Sequence, residues 1–481
     1  MPLILSGNVA SATAGAYSVA NSCRFDGSSS KLVKAQSAGN RDLWTYSVWI
    51  KWSAITTTTT TFFASSDGSN LYAYMGIQSY KIRFLDYSSG NQTNLITNRA
   101  FRDPSAWYHV VLAYDSAQGT DSNRVKLYIN GVQETSFSTE TYPSSGLDSA
   151  VNVDSSNFII SSNQDQLSGS TWNGYMAEAC FIDGQALAPT SFGEFDEDSP
   201  TIWKPINVSG LTFGTNGFYL DFEASDNLGN DKNGGTDLTE SGLAATDQAT
   251  DTPTNNFAVL NPLTPQVHTL SEGNLQVDGT ASNWDSLFST IGVANGKWYM
   301  ELKFLALEGG LRRATIGLVD VRGVTQFATD GLGYTVTNAL GDSVGYNGNG
   351  TSNTVKKNDG AEYNGIQWDV DDIICMAVDC DNGAVYFRIN GDAWQNSGDP
   401  TSGASRTGAV TITTGETYVL GATAYGSSTQ FTLNFGNPPY ANSSSVADAD
   451  GYGAFEFAPP SGYFALCTKN LADYGYWLIQ Q

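Results

Sequence analysis

Val125-Lys126-Leu127-Tyr128-Ile129-Asn130-Gly131-Val132-Gln133-Glu134 alternates apolar and polar side chains on both sides of an Asn-Gly pair. A two-residue period puts every second side chain on one face, so the run reads as two half-buried strands. Asn and Gly both tolerate positive φ, which makes the pair the centre of a type I′ turn and the whole segment a hairpin. Outward from it, the same period recurs in residues 46–52, 82–87, 107–114 and 157–161, while helical spacing is nearly absent. Far downstream, Ala384-Val385-Tyr386-Phe387-Arg388-Ile389 runs into Asn390-Gly391. Two such signals so far apart predict an all-β chain of two antiparallel β-sandwiches joined by a long connector.

Composition agrees. Of 481 residues 50 are glycine, 12% are aromatic and 15% charged, against about 25% charged in an average soluble domain. Lys and Arg number 23 and Asp and Glu 48, a formal net charge of −25. A surface so acidic repels phosphate backbones and anionic lipid, which excludes nucleic acid as a partner. Two histidines, His109 and His268, leave little material for histidine catalysis or a histidine-rich metal site. The five cysteines are scattered, and Cys375 and Cys380, five apart in a strand-like run, point to opposite faces. Free, buried thiols are expected, as in a reducing compartment. No run has the length of a membrane span, and the apolar start of the chain is too short for a signal-peptide core, so membrane insertion is not expected.

Residues 1–22 form an arm rich in Ala, Ser and Gly. Residues 201–268 read as a connector with one strand, Gly217-Phe218-Tyr219-Leu220-Asp221-Phe222, packed partly on the first domain. The Thr56 to Thr61 run reads as an exposed strand or loop. Over residues 23–200, Arg24-Phe25-Asp26-Gly27, Tyr46-Ser47-Val48-Trp49-Ile50, Trp107-Tyr108-His109-Val110-Val111, Leu127-Tyr128-Ile129-Asn130-Gly131 and Gly174-Tyr175-Met176-Ala177-Glu178 stand in order. In these the chain resembles the laminin-G-like, concanavalin A-like lectin/glucanase superfamily of jelly-roll sandwiches. Phe181-Ile182-Asp183-Gly184-Gln185-Ala186-Leu187-Ala188-Pro189 is similar to the closing segment of such domains in virion proteins of tailed bacteriophages. Asp251-Thr252-Pro253-Thr254-Asn255-Asn256-Phe257 resembles a connector of the same proteins. Residues 269–470 resemble a SPRY sandwich through Gly296-Lys297-Trp298-Tyr299-Met300-Glu301, Val385-Tyr386-Phe387-Arg388-Ile389-Asn390-Gly391, Asn434-Phe435-Gly436 and Pro438-Pro439-Tyr440, with Asp371 departing from the usual Gly-Asp. Residues 471–481 form a tail.

The resemblance implies a virion protein made in the host cytoplasm and carried on the virion surface, as a tail fibre or appendage adhesin recognising host surface glycan or protein. It also implies contact with other virion proteins through the arm, and a homo-oligomer, a trimer being favoured. The alternative is a capsid decoration or head-fibre protein, which the absence of heptads fits nearly as well. A polysaccharide hydrolase is the third reading. Its retaining chemistry needs two carboxylates about 5 Å apart, and the nearest pair, Asp221 and Glu223, shares a strand face with no third acid following. His109, in phase with Trp107, Val111 and Ala113, reads as a packed, hydrogen-bonded histidine, so the chain is read as no enzyme.

For sugar binding, aromatic rings beside amides in loops form the usual platform. The candidates are Trp172 with Asn173 and Gln164, and Tyr346, Tyr363, Trp368 and Trp394 in the second domain, Trp394 foremost. For calcium, a hard cation held by oxygen, the candidates are Asp226, Asp231 and Asp237 in one loop and Asp448 and Asp450 in another; solvated acidic loops are the plainer reading of both. The net charge predicts binding that holds or strengthens as salt rises.

Overall fold

In the computed structural model, the described residues are 3–5, 17–163, 170–264, 267–327, 330–334, 340–349 and 352–475. The chain divides into two compact units, Thr13–Thr254 and Asn255–Gln481 with Met1–Ala12. The division falls inside the stretch read as connector, between two residues of the Asp251 to Phe257 motif.

The N-terminal unit is a pair of antiparallel sheets. One runs Val132–Gln133, Val125–Ile129, Trp107–Asp115, Leu43–Trp52, Asn173–Asp183, Ser22–Asp26 and Gln248–Ala249, with Phe218–Leu220 also on Asn173–Asp183. The other runs Phe137–Thr141, Asn91–Thr97, Lys81–Ser88, Leu71–Gln78, Thr60–Ser66, Asn157–Ile160, Lys31–Ala35 and Thr239–Ser241. Leu43–Trp52 shows how sequence becomes core: Trp44, Tyr46, Val48, Ile50 and Trp52 enter the main core. Trp49, on the opposite face, packs with Trp107, Tyr175 and Trp203 under a second layer of chain. Both faces of this sheet are therefore covered. Thr60 and Thr61, read as exposed, are buried at the start of Thr60–Ser66, because a bulge between Thr61 and Phe63 turns both Phe62 and Phe63 into the core.

The C-terminal unit repeats the plan. Thr269–Ser271, Gln276–Asp278, Gln430–Asn434, Lys297–Ala306, Ile373–Asp379, Ala384–Ile389 and Val410–Thr411 form one sheet, joined by Phe464–Ala465 in parallel to Lys297–Ala306. Ala281–Val293, Tyr418–Gly426, Ala314–Asp320, Ser343–Asn349, Ser352–Lys357 and Gly360–Gly365 form the other. All five cysteines are buried and unbridged, and Cys375 and Cys380 lie in separate clusters on the two faces of their sheet.

The Asn-Gly turns do more than reverse the chain. Asn130 and Gly131 have φ of 49° and 78°, and Trp203 packs so closely on Gly131 that no Cβ would fit. Asn130 also clasps the neighbouring strand: its N–H donates to His109 O at 2.9 Å, and its side-chain oxygen accepts from His109 N at 2.8 Å. Asn390, φ 49°, clasps Ile373 in the same way at 2.9 and 2.8 Å. The second turn is followed by no paired strand, however; its preceding strand pairs with Ile373–Asp379 and Val410–Thr411, so it is a turn without a hairpin.

The described ends of the arm make hydrogen bonds and packing contacts within the chain. Ile4 N donates to Thr290 O at 2.8 Å and Ile4 O accepts from Gly292 N at 3.0 Å, while Tyr17 and Val19 pack on the N-terminal unit. Asp251 of the connector motif is fully buried and paired with Lys51 at 2.6 Å, and its other oxygen accepts from Trp107 Nε1 at 3.0 Å. Removing one charge of a buried pair strands the other. Asp251→Asn is expected to destabilise the N-terminal unit by about 3–5 kcal/mol, read as a lower midpoint in guanidinium unfolding.

Candidate functional site

The aromatic candidates do not come together. Trp172 is fully buried, its ring against Phe62 and Trp52 at 4.9 and 6.4 Å. It is drawn inward because its N–H continues the edge of the sheet onto Ser161 O at 2.7 Å. Asn173 begins the adjoining strand opposite Asp26, and Gln164 lies outside the described residues. Tyr346 and Trp368 pack edge to face at 4.7 Å in the second core, where Tyr346 Oη donates to Ile366 O and accepts from Gln395 Nε2. Tyr363 is half-buried against that core. Trp394 is likewise half-buried, packed on Tyr386 at 6.3 Å with the Arg388 guanidinium over its ring at 4.7 Å.

The acidic loops do not fit a calcium ion either. Asp231 is buried beside the Lys34 ammonium at 3.2 Å, where a cation would sit, and its other oxygen accepts from Tyr219 N and Asn233 N. Asp237 accepts from Asp231 N and Asn227 Nδ2, and Asp226 is exposed. Both Asp448 oxygens are taken, one by the N–H groups of Asp450 and Tyr452, the other by Ala465 N and Asn470 Nδ2. Asp450 accepts from Tyr474 Oη. These carboxylates brace their own loops, and among the described residues no group of three or more His, Cys, Asp or Glu could hold a metal ion.

Asp221 and Glu223 do not share a strand face, because the strand ends at Leu220 and Phe222 is left-handed at φ 58°. Lys232 bridges the two carboxylates at 2.7 and 2.9 Å. Near them is an acid the sequence reading missed. Glu178 lies on a bulge of Asn173–Asp183 with φ 50°, buried, and its carboxylate accepts from Tyr219 Oη at 2.8 Å and Tyr17 Oη at 3.1 Å. Burial pushes its pKa up to about 7, with Asp221 and Glu223 adding in the same direction and the tyrosines opposing. His109 is buried between the rings of Trp49 and Trp203 at 4.7 and 6.0 Å. Trp203 Nε1 donates to its Nδ1 at 2.9 Å, so the ring proton resides on Nε2 and is donated to Ser47 Oγ at 2.8 Å. An imidazole protonated there cannot take a proton from that serine, and burial pushes its pKa down to about 3.

The outer face of the N-terminal unit's other sheet is buried at its centre, at Ala64, Tyr74 and Leu85, and half-exposed around it, at Tyr72, Tyr87, Lys81 and Arg83. On Thr60–Ser66, Leu71–Gln78 and Lys81–Ser88, the residues turned away from the core, Ala64, Tyr74, Leu85 and Tyr72, cluster among themselves. Tyr72 and Tyr87 are cross-strand partners whose half-exposed rings stack at 4.9 Å and 19°. Arg83 stands opposite Gly76, where the bulged carbonyl of Thr60 leaves no room for a Cβ. Its guanidinium donates to Tyr74 Oη at 2.8 Å, Gln78 Oε1 at 3.1 Å and Asn94 Oδ1 at 3.0 Å. Half-exposed aromatic rings, amides and an oriented guanidinium thus share one face. The alternation in Leu71-Tyr72-Ala73-Tyr74-Met75-Gly76-Ile77-Gln78, with Ala73, Met75 and Ile77 in the core, was the signal that could have found it.

Residues 25–189 match the family model for the concanavalin A-like lectin/glucanases superfamily. No curated protein matches the chain. Similar solved structures include mouse laminin α1 domains LG4–5, at 11% identity and TM-score 0.28, covering 88% of this chain and 92% of that one. The human HERC1 SPRY domain is similar at 13% identity and TM-score 0.28, covering 36% and 96%. Domain 4 of the arabinanase AbnA from Geobacillus stearothermophilus, solved with arabinotriose, is similar at 17% identity and TM-score 0.27, covering 39% and 83%. The N-terminal unit carries a concanavalin A-like domain, and the chain is built of antiparallel β-sandwich sheets.

Two outcomes follow from this chemistry. A carboxyl whose pKa is raised on folding stabilises fully below its unfolded value, near 4.5, and loses that contribution as pH rises through about 7. Glu178→Gln, which still accepts from both tyrosines, should therefore remove a loss on the order of 3 kcal/mol between pH 5 and 8, seen as a flatter curve of melting temperature against pH. A chelator, or added calcium, should leave the melting temperature unchanged.

Proposed function

We propose that the protein is a virion protein of a tailed bacteriophage, an appendage adhesin that binds host surface glycan through the sheet face bearing the half-exposed Tyr72 and Tyr87. The observation that carries this reading is the stacked, half-exposed Tyr72 and Tyr87 pair on a sheet of a concanavalin A-like domain. A sugar lays its apolar face on such rings while its hydroxyls reach the amides of Gln78 and Asn94. A face built on strands is held more rigidly than a loop platform, so less ordering is required on binding. Phage origin is supported by the closing segment up to Pro189 and the Asp251 to Phe257 connector, and many copies on a particle would raise a modest single-site affinity.

Purified protein should bind polysaccharide extracted from the host surface, and Tyr72→Ala with Tyr87→Ala should weaken that binding at least tenfold, about 1.4 kcal/mol, at unchanged melting temperature. Trp394→Ala should leave it unaltered. On the particle, antibody against the N-terminal unit should block adsorption. Unimpaired adsorption, together with loss of capsid stability when the protein is removed, would make it a decoration protein instead.

A further inference from the structure

We propose that the glycan taken by this face is anionic, its carboxylate or phosphate groups held by a basic rim of Lys81, Arg83, Arg99 and Arg102; the inference rests on the adhesin reading above. Of the thirteen Lys and Arg residues of the N-terminal unit, Arg24, Lys34, Arg41, Lys51, Lys204 and Lys232 make ion pairs. Lys31, Arg124 and Lys126 make no ion pair among the described residues, and neither do the four of this rim, which are neighbours.

The turn between Leu71–Gln78 and Lys81–Ser88 brings them together. Ser79 and Tyr80 are both left-handed, at φ 49° and 68°, and Tyr80 O accepts from Phe101 N at 2.7 Å. This lays the segment carrying Arg99 and Arg102 beside the turn. Arg102 stacks on the Tyr80 ring at 4.4 Å and Arg99 on Phe101 at 5.2 Å, both exposed. Lys81 and Arg83, two apart on one strand, share the tyrosine face. Arg83 is fixed by neutral partners only, at Nε and Nη1, with Nη2 left over among the described residues. The acids Asp103, Glu134 and Asp86 accept from Ser105 N and Oγ, Ser136 N and Ala150 N respectively, and among the described residues none of them pairs with these four cations. Rings hold the guanidinium planes in place without neutralising them, and a fixed guanidinium suits the two oxygens of a carboxylate or phosphate. The long-range field of the chain repels such a ligand, so its recognition depends on these short-range contacts.

The test uses the full chain with three immobilised probes: polygalacturonate, poly(glycerol phosphate) and neutral dextran. Binding to at least one charged polymer, at least tenfold tighter than to dextran and weakening with added salt, is expected. Arg99→Gln with Arg102→Gln, exposed positions that leave the sheet intact, should cost at least tenfold and flatten the salt dependence; Arg83→Gln should do the same, with Arg83→Lys losing less. Preference between the two charged polymers identifies carboxylate or phosphate as the group recognised. Binding to dextran as tight as to either, or charged-polymer binding indifferent to these arginines, overturns the inference and leaves the adhesin reading standing. Failure to bind any of the three overturns the inference, and failure also on host-derived polysaccharide overturns both.

Discussion

A strand has two faces, and in a sandwich only one of them is spent on the core. What covers the other face governs the rest of this molecule. In the N-terminal unit the outer face around Trp49, Trp107 and Tyr175 is covered by Trp203, Ala249 and Val19, and the adjoining stretch around Val111 and Cys180 by Phe192, Val208 and Phe213. Burying that face required satisfying its polar groups, which Lys51 with Asp251 and Ser47 with His109 and Trp203 accomplish. In the C-terminal unit Phe455, Tyr463 and Cys467 cover Tyr299 and Cys375. There Glu301, fully buried, accepts from the backbone N–H groups of Glu456 and Phe457 and from Asn434, and so holds the cover down. On the strands from Thr60 to Thr97 the outward Ala64, Tyr74 and Leu85 are buried among themselves, and half-exposed aromatic and cationic side chains, Tyr72, Tyr87, Lys81 and Arg83, surround them.

Much of this was legible in the sequence because it follows from a period of two. The strand at residues 46–52 and the Asn130-Gly131 hairpin were read correctly, and the period also implied that Cys375 and Cys380 face opposite ways. Positive φ explained the choice of Asn-Gly; the clasp that Asn130 and Asn390 make on a neighbouring strand depends on a partner distant in sequence and has no local signature. Trp172, Tyr346 and Trp368 were misplaced for a related reason. A single aromatic outside a periodic run carries no phase, and whether it faces core or solvent depends on which strand edge its backbone joins. Thr60 and the acids Asp221 and Glu223 were misread because a bulge and a left-handed residue, at Phe62 and Phe222, break the phase on which the reading relied. The loop acids are loop braces, as the preference of Asp for turns suggests.

Net charge is the clearest case of a global property giving way to a local one. At −25 the chain should repel anionic polymers and bind, if at all, without loss at high salt. Yet Lys81 and Arg83, which make no ion pair among the described residues, stand on the strand that carries Tyr87, and Arg102 stacks on the Tyr80 ring in the turn before it. Arg83 is at once part of the tyrosine face and part of the basic rim, so stacking and charge recognition belong to one surface.

The tyrosine face of the N-terminal sandwich, with its half-exposed Tyr72 and Tyr87, is the proposed recognition surface. Hydrogen–deuterium exchange of the whole protein, with and without host-surface polysaccharide, tests it most directly. Slowed exchange confined to residues 71–102 is the result this account predicts. Protection confined to the second unit around Trp394, with residues 71–102 unaffected, would contradict it.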